Sequence, residues 1–234
     1  NLAVDSIAQS KISGALSFKQ EGTNFTDSLL VGHSTTGTLS SASDNTGVGI
    51  GALDALTSGT RNTAVGQDAG TAITTATRNV MVGHNAGWQM TTNGSYDNTL
   101  IGDSAGAAHT ASCIENTLIG KSAGVLMNVG DKNVCLGAYS GQAITHGDRN
   151  ITIGAYAGDN ITTGDGNIMI GSEVDAAAVD SARTCKIVSY DGSSTTNHFI
   201  SDSSGNVTFA GTATAAGSLL ATQGDVTALA VALG

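Results

Sequence analysis

The chain has 234 residues, a formal net charge of −10 and no proline, with 32 glycines, 4% aromatic and 12% charged residues. So few large side chains argue against the thick core of a classical enzyme domain. A hydrophobic fraction of 40% without charge blocks argues against a disordered chain, and the lack of proline excludes collagen. The acidic balance predicts no nucleic-acid partner, and the lack of a long apolar run predicts no membrane insertion.

Residues 1–24 mix apolar and polar side chains without a clear period. We interpret them as an N-terminal arm or joint, for which an extended arm and a short helix are both open. The first residues, Asn1-Leu2-Ala3-Val4, contain no Met and no signal-peptide pattern, so we expect a processed chain or a fragment of a longer one.

Residues 25–180 contain an internal repeat that begins with Asn and has a Gly four residues later. The asparagine-to-asparagine spacing is 17 residues in five of seven steps and 18 or 19 in the other two, and a degenerate ninth copy begins at Ser28. The asparagine column consists of Asn45, Asn62, Asn79, Asn98, Asn116, Asn133, Asn150 and Asn167. The glycine column consists of Gly49, Gly66, Gly83, Gly102, Gly120, Gly137, Gly154 and Gly171.

The residues between Asn and Gly predict a short strand. Apolar residues or Thr stand one and three residues after each Asn, and alternation places these two positions on one face of a strand. The Gly then indicates a bend with a positive φ or no room for a Cβ. We expect the stacked Asn side chains to form a hydrogen-bonded ladder along the axis.

A second apolar column lies eleven residues after the Asn, where one repeat carries His109 instead of an aliphatic residue. A turn closes each unit, so we predict two short strands and two bends per unit, with stacking of the units burying their apolar face. The fold class is therefore all-β: a parallel β-solenoid or β-roll of about nine 17-residue rungs. Because so thin a coil encloses little, we expect three chains to pack into a homotrimer.

The run from Asn62 to Gly70 resembles the N-T-A-V-G-x-x-A-G repeat of bacteriophage tail-fibre proteins. It is also similar to the N-S-V-A-I-G repeat in the heads of trimeric autotransporter adhesins, which form trimeric left-handed β-rolls. The resemblance covers about residues 28–175. The 17-residue unit is longer than that of the adhesin heads, which favours the phage family.

The repeat ends after Val174. Residues 181–212 read as a C-terminal β module, with a hairpin around Ser203-Ser204-Gly205. Residues 213–234 read as a helical or extended tail, because Leu219, Val226 and Leu233 recur every seven residues but Gly224 weakens a helix.

Enzyme chemistry is not indicated. The sequence contains no phosphate-binding loop, no H-E-x-x-H, no G-x-S-x-G and no C-x-x-C motif. His33 and His84 occupy equivalent positions three repeats apart, too far for one metal ion. Nothing in the repeat suggests the paired carboxylates of a glycosidase, and we predict no catalytic residue, no metal and no cofactor.

Aromatic residues are scarce and so carry more information. Tyr139 and Tyr156 occupy the same column on adjacent rungs and should stack, while Trp88 follows a corner and Tyr96 lies in an enlarged loop. Local packing of the rungs explains such residues. The alternative is that Trp88, Tyr96, Tyr139 and Tyr156 contact a receptor, because exposed aromatic faces suit carbohydrate and protein ligands.

The tail-fibre resemblance implies a structural and adhesive protein, the trimeric shaft of a phage fibre or similar appendage. Its partners would be copies of itself, other fibre or baseplate proteins, and a host-surface glycan or protein. Its location would be the virion tail fibre, or alternatively the bacterial cell surface. The alternatives are a bacterial trimeric adhesin head and an ice-binding solenoid that uses a Thr column, which begins with Thr57 and Thr74.

Overall fold

The computed structural model describes residues 18–32, 36–91, 94–209, 213–215 and 218–221, all without a helix. The strands of its main sheet are β1 Phe18–Gly22, β2 Phe25–Val31, β3 Ala42–Ser43, β4 Thr46–Val48, β5 Thr63–Val65, β6 Val80–Val82, β7 Thr99–Ile101, β8 Thr117–Ile119, β9 Val134–Leu136, β10 Ile151–Ile153, β11 Ile168–Ile170, β12 Cys185–Tyr190, β13 Thr195–Ser201 and β14 Val207–Phe209. Two further strands, β15 Ala213–Ala215 and β16 Ser218–Ala221, form a separate antiparallel pair.

The repeat folds as a parallel β-solenoid of about nine turns, which confirms the predicted architecture. Strands β2 and β4 to β12 follow one another in the sheet in chain order, each parallel to the next. Equivalent residues of successive repeats face each other, as Thr46 faces Thr63 and Val48 faces Val65. One 17-residue repeat is therefore one turn, and the longer repeats keep this register.

The asparagine side chains form the expected ladder inside the coil. All eight are at most 1% exposed. The Oδ1 of Asn98 accepts hydrogen bonds from the main-chain N–H (3.0 Å) and the Nδ2 (3.1 Å) of Asn116, whose Nδ2 also donates to the carbonyl of Gly130 (2.8 Å). Ser28 starts the ladder and Thr184 ends it through their hydroxyls. Each Asn thus satisfies main-chain groups at a corner that water does not reach.

The glycine after each strand is required for two separate reasons, as Gly83 shows. Its φ of +137° lies where side chains are rarely tolerated, and a Cβ would lie 2.4 Å from the carbonyl oxygen of Gly102 in the next turn. The same two constraints recur along the glycine column, so it marks both a bend and a close contact between turns.

The core lies on the opposite face of the strands from the one that the sequence indicated. The residue two positions after each Asn points inward and is buried; this inner column is Gly47, Ala64, Met81, Leu100, Leu118, Cys135, Thr152 and Met169. The residues one and three positions after each Asn, apolar or Thr and here called the outer columns, remain half-buried or exposed, with Val48 at 39% and Val65 at 38%. The prediction that stacking buries the apolar face was therefore wrong for the outer columns.

Each turn contains one regular strand where the sequence predicted two. The second apolar column, with Ile73 and Met90, is fully buried but lies in tight turns. Its main-chain N–H groups bond locally, from Ile73 to Gly70 (3.0 Å) and from Met90 to Gly87 (3.1 Å). Because Gly70 adopts a φ of +58°, the chain curls there instead of extending.

Antiparallel strands close both ends of the coil. β1 pairs with β2 at one end, and β12, β13 and β14 form an antiparallel series at the other, so residues 181–209 of the predicted module extend the solenoid sheet, while 210–212 lie outside the described residues. In the predicted helical or extended tail, the described residues 213–215 and 218–221 form β15 and β16, so a helix is wrong for them. Residues 1–17 of the predicted N-terminal arm, and 216–217 and 222–234 of the tail, lie outside the described residues.

Candidate contact surfaces

The outer columns form a continuous and mostly apolar face along the solenoid. They comprise Thr46, Thr63, Val80, Thr99, Thr117, Val134, Ile151 and Ile168, with Val48, Val65, Val82, Ile101, Ile119, Leu136, Ile153 and Ile170. At ~4.8 Å per strand, the eight strands β4 to β11 give this face a length of roughly 40 Å. Large apolar patches on single chains usually mark interaction sites.

A column of charged residues borders this face. The residue immediately before each Asn is charged in most repeats: Asp44, Arg61, Arg78, Asp97, Glu115, Lys132 and Arg149, with Arg183 in the next turn. This charged column holds five of the nine basic residues in a chain of net charge −10. Opposite charges pair between turns, most closely Arg78 Nε with Asp97 Oδ1 at 2.6 Å. This hydrogen bond lowers the pKa of Asp97.

Tyr139 and Tyr156 stack as predicted. Their ring centroids are 4.9 Å apart with an angle of 12° between planes, and Lys121 Nζ lies 5.7 Å from the Tyr139 centroid. We call these three residues the aromatic stack. Lys121 and the two tyrosines come from three successive turns, so the stack runs along the axis of the coil.

Trp88 and Tyr96 lie elsewhere. Trp88 is 44% exposed in the turn after β6. Tyr96 lies two residues before Asn98, forms isolated bridges to Thr77 and Ile114, and lies under the guanidinium of Arg78 at 5.1 Å. The structure therefore brings together only two of the four candidate aromatic residues. It gives Tyr96 a local packing role.

A shallow pocket of about 310 Å³ opens beside Tyr156, lined also by Asp159, Glu173 and Asp175. Gln142 Nε2 lies 3.3 Å from Asp159 Oδ2. Partial burial, and then a hydrogen bond and charge repulsion from Asp159, raise the pKa of Asp175 to about 6. Sequence reasoning missed these carboxylates, although Glu173 continues the column of Tyr139 and Tyr156 into the next turn.

His109 occupies the second apolar column, in line with Met90 and Met127 of the neighbouring turns. Its side chain is fully buried, and neither ring nitrogen has a hydrogen-bond partner. Burial lowers the pKa of His109 to about 4, so the imidazole is neutral at pH 7.

The remaining reactive side chains do not assemble into a site. Cys113 and Cys135 are buried free thiols whose pKa burial raises to about 12, and Cys185 is free and half-buried. Among the described residues, no group of three or more His, Cys, Asp or Glu could hold a metal ion. His84 instead bonds to Asp103 through Nδ1 at 2.9 Å.

A scan against protein-family models gave no match, and neither the curated proteins nor the solved structures gave one. Within the described part of the chain, no helix is long and apolar enough to cross a bilayer.

Proposed function

We propose that this chain is the shaft of a homotrimeric fibre, such as a phage tail fibre, which contributes to attachment to a host or another surface. The observation that carries the proposal is the apolar face formed by the outer columns. The face runs the length of the coil and stays half-exposed in a single chain.

The regularity of this face suits association with other copies. Between the Asn and Gly columns the face is about 13 Å wide at ~3.3 Å per residue, which with its length is less than the ~800 Å² that each partner buries in a standard interface. The charged column on one side and the turn after Gly on the other would have to contribute the rest. Identical copies are the simplest partner for so regular a surface, since each repeat presents equivalent groups at each turn.

A fibre shaft also suits the mechanical properties of the coil. The ladder of buried Asn residues and the continuous parallel sheet connect every turn to the next. Contacts of modest strength at the surface of each chain would add up through multivalency in a trimer. Other fibre or baseplate proteins would join its ends, and a glycan or protein on the host would be the receptor. The location would be the virion tail fibre.

A trimeric adhesin head on a bacterial surface shares this architecture and stays the second candidate. The ice-binding alternative is weaker, because hydroxyls of the Thr column that suggested it already donate hydrogen bonds within the chain. Thr57 Oγ1 donates to the carbonyl of Thr74 (2.9 Å), and Thr74 Oγ1 to that of Thr91 (2.6 Å). Such hydroxyls are fixed along the coil and half-buried, which leaves them little freedom to order water.

The interface is tested by placing a charge on the face. Ile119→Lys introduces an ammonium into an outer column where the side chain is 37% exposed, so the single chain should still fold. The matched control is Leu126→Lys, because Leu126 is an exposed aliphatic residue (53%) outside the outer columns. We expect sedimentation to show monomers for Ile119→Lys and trimers for Leu126→Lys. Equal masses for the two variants would contradict the assignment of the interface to this face.

The attachment role is tested with fluorescently labelled chain on intact bacteria of several genera. We expect saturable retention on some strains, which excess unlabelled chain displaces. Retention on none of them would contradict the attachment role while leaving the shaft assignment in place. Inhibition of ice growth would instead support the ice-binding alternative.

A further inference from the structure

Beyond Tyr156, the aromatic stack is not continued by another ring. Tyr139 lies between Lys121 of the preceding turn and Tyr156 of the following one. Because the rings are nearly parallel and spaced about one turn apart, the far face of Tyr156 is directed to the next turn. The equivalent residue there is Glu173, which has no ring to continue the stack, and the pocket opens at this point.

The chemistry of the pocket is that of a cation site with an aromatic wall. Asp159, Glu173 and Asp175 bring three carboxyl groups to the pocket that Tyr156 also lines. An aromatic face attracts an ammonium group through its quadrupole, and nearby carboxylates strengthen that attraction. The stack already shows this preference at its other end, where the Lys121 ammonium lies over Tyr139.

Groups of the chain itself satisfy part of the hydrogen-bonding capacity of these carboxylates. The Tyr190 side chain is hydrogen-bonded to Glu173, and Gln142 Nε2 donates to Asp159 Oδ2 at 3.3 Å. Lys186 Nζ donates to the main-chain carbonyl of Asp175 at 2.5 Å, and its charge also acts on the Asp175 carboxylate. Even so, partial burial, and then the hydrogen bond and charge repulsion from Asp159, keep the pKa of Asp175 raised to about 6. A second cation beside them would relieve this repulsion.

We propose that the pocket between Tyr156 and Glu173 binds an organic ammonium group of a small polar ligand, stacked on Tyr156 and paired with the carboxylates. The ammonium could be carried by an amino sugar or by a choline headgroup. The pocket is formed within one chain, so ligand binding does not depend on the trimer. The inference rests on the proposed function only for the role of the site, which would be that of a receptor contact of the fibre.

The probes are D-glucosamine, choline and N-acetylglucosamine, added to the full chain in ligand-observed NMR titrations at low salt. We expect saturable binding of an ammonium compound and none of N-acetylglucosamine, which keeps the sugar ring but lacks the charge. Preference for glucosamine or for choline identifies the source of the ammonium. Equal binding of glucosamine and N-acetylglucosamine would overturn the proposal in favour of a neutral sugar site, and no binding of any probe would also overturn it.

Two variants locate the site. Tyr156→Asn removes the aromatic wall but keeps a residue that tolerates the left-handed backbone, as Asn85 does in the same column. We expect it to weaken ammonium binding about two- to five-fold, the range for an exposed cation–π contact. Glu173→Gln should weaken binding to a similar extent through the lost charge.

Asp68→Asn is the matched control, because Asp68 occupies the equivalent position several turns away from the aromatic stack. It removes one negative charge and should leave ammonium binding unchanged. Equal weakening in Asp68→Asn and Glu173→Gln would mean a general charge effect and would contradict a site. Solution masses measured on the same samples separate this outcome from the proposed function, since a monomer that binds ammonium would contradict only the trimer.

Discussion

Single residues set the weak point of the coil, and His109 is the clearest case. A neutral imidazole fills a position that Leu, Ile or Met occupies in other turns, with both nitrogens buried and unpartnered. An unsatisfied buried polar group costs free energy that an aliphatic side chain would not. The sequence showed the exception in the column, but the lack of any partner became visible only once the neighbouring turns were in place.

Acid should destabilise the protein through this histidine. The folded-state pKa of His109, about 4, lies below the ordinary histidine value of 6.5, so the unfolded chain binds more protons between these values. The His109 contribution to stability is complete above pH 6.5 and is lost as the pH falls towards 4. At pH 4.5 the expected loss is about 2–3 kcal/mol.

His109→Leu tests this account in urea unfolding at pH 7 and pH 4.5. Leucine suits the site because Leu56 occupies the same column. We expect the variant to be at least as stable as the natural chain at pH 7 and to lose less stability at pH 4.5. The same acid loss in both proteins would show that the carboxylates, and not His109, control the acid response.

At the scale of the strand and turn, the asparagine ladder holds successive turns in register. Asn116→Ala would remove the acceptor for the N–H and Nδ2 of Asn133 and the donor to Gly130. All these groups are buried, so we expect a loss of at least ~2 kcal/mol in the free energy of unfolding. Asn128→Ala, at a half-buried position in the same turn, is the control. A similar small loss in both variants would contradict a special role for the ladder.

The recurrence of Asn and Gly was enough to predict the turn length, the register and the stacking, because both residues have backbone roles that repeat identically. Which face of each strand points into the core could not be predicted in the same way. The inner column varies from Gly47 to Leu118, since neighbouring positions share one core volume. Leu53 stands where other turns have a Gly, and Leu30 and Leu53 together fill the space that Gly47 leaves empty.

The candidate site was predictable only in part. Tyr139 and Tyr156 share a column, so their stacking follows from the repeat. Asp159 and Asp175 come from two different turns and from positions that carry no pattern, so only the folded chain brings them to Tyr156.

At the scale of the whole molecule, the antiparallel strands at the ends protect the parallel sheet. Open edges of a sheet recruit further strands, and repeat proteins need caps at their ends. A chain cut after residue 184 would end at β11 and expose its edge. We expect this truncation to form large aggregates in sedimentation, while a chain cut after residue 209, which keeps β12 to β14, stays dispersed. Equal behaviour of the two would contradict a capping role.

The central claim is that the apolar face of the outer columns is covered by two further copies. The most direct measurement is the mass of the intact, unmodified chain in solution by light scattering, with an unheated SDS gel beside it. The account predicts three times 23.2 kDa and resistance to SDS. A stable monomer of 23.2 kDa, with the face open to water, would contradict it.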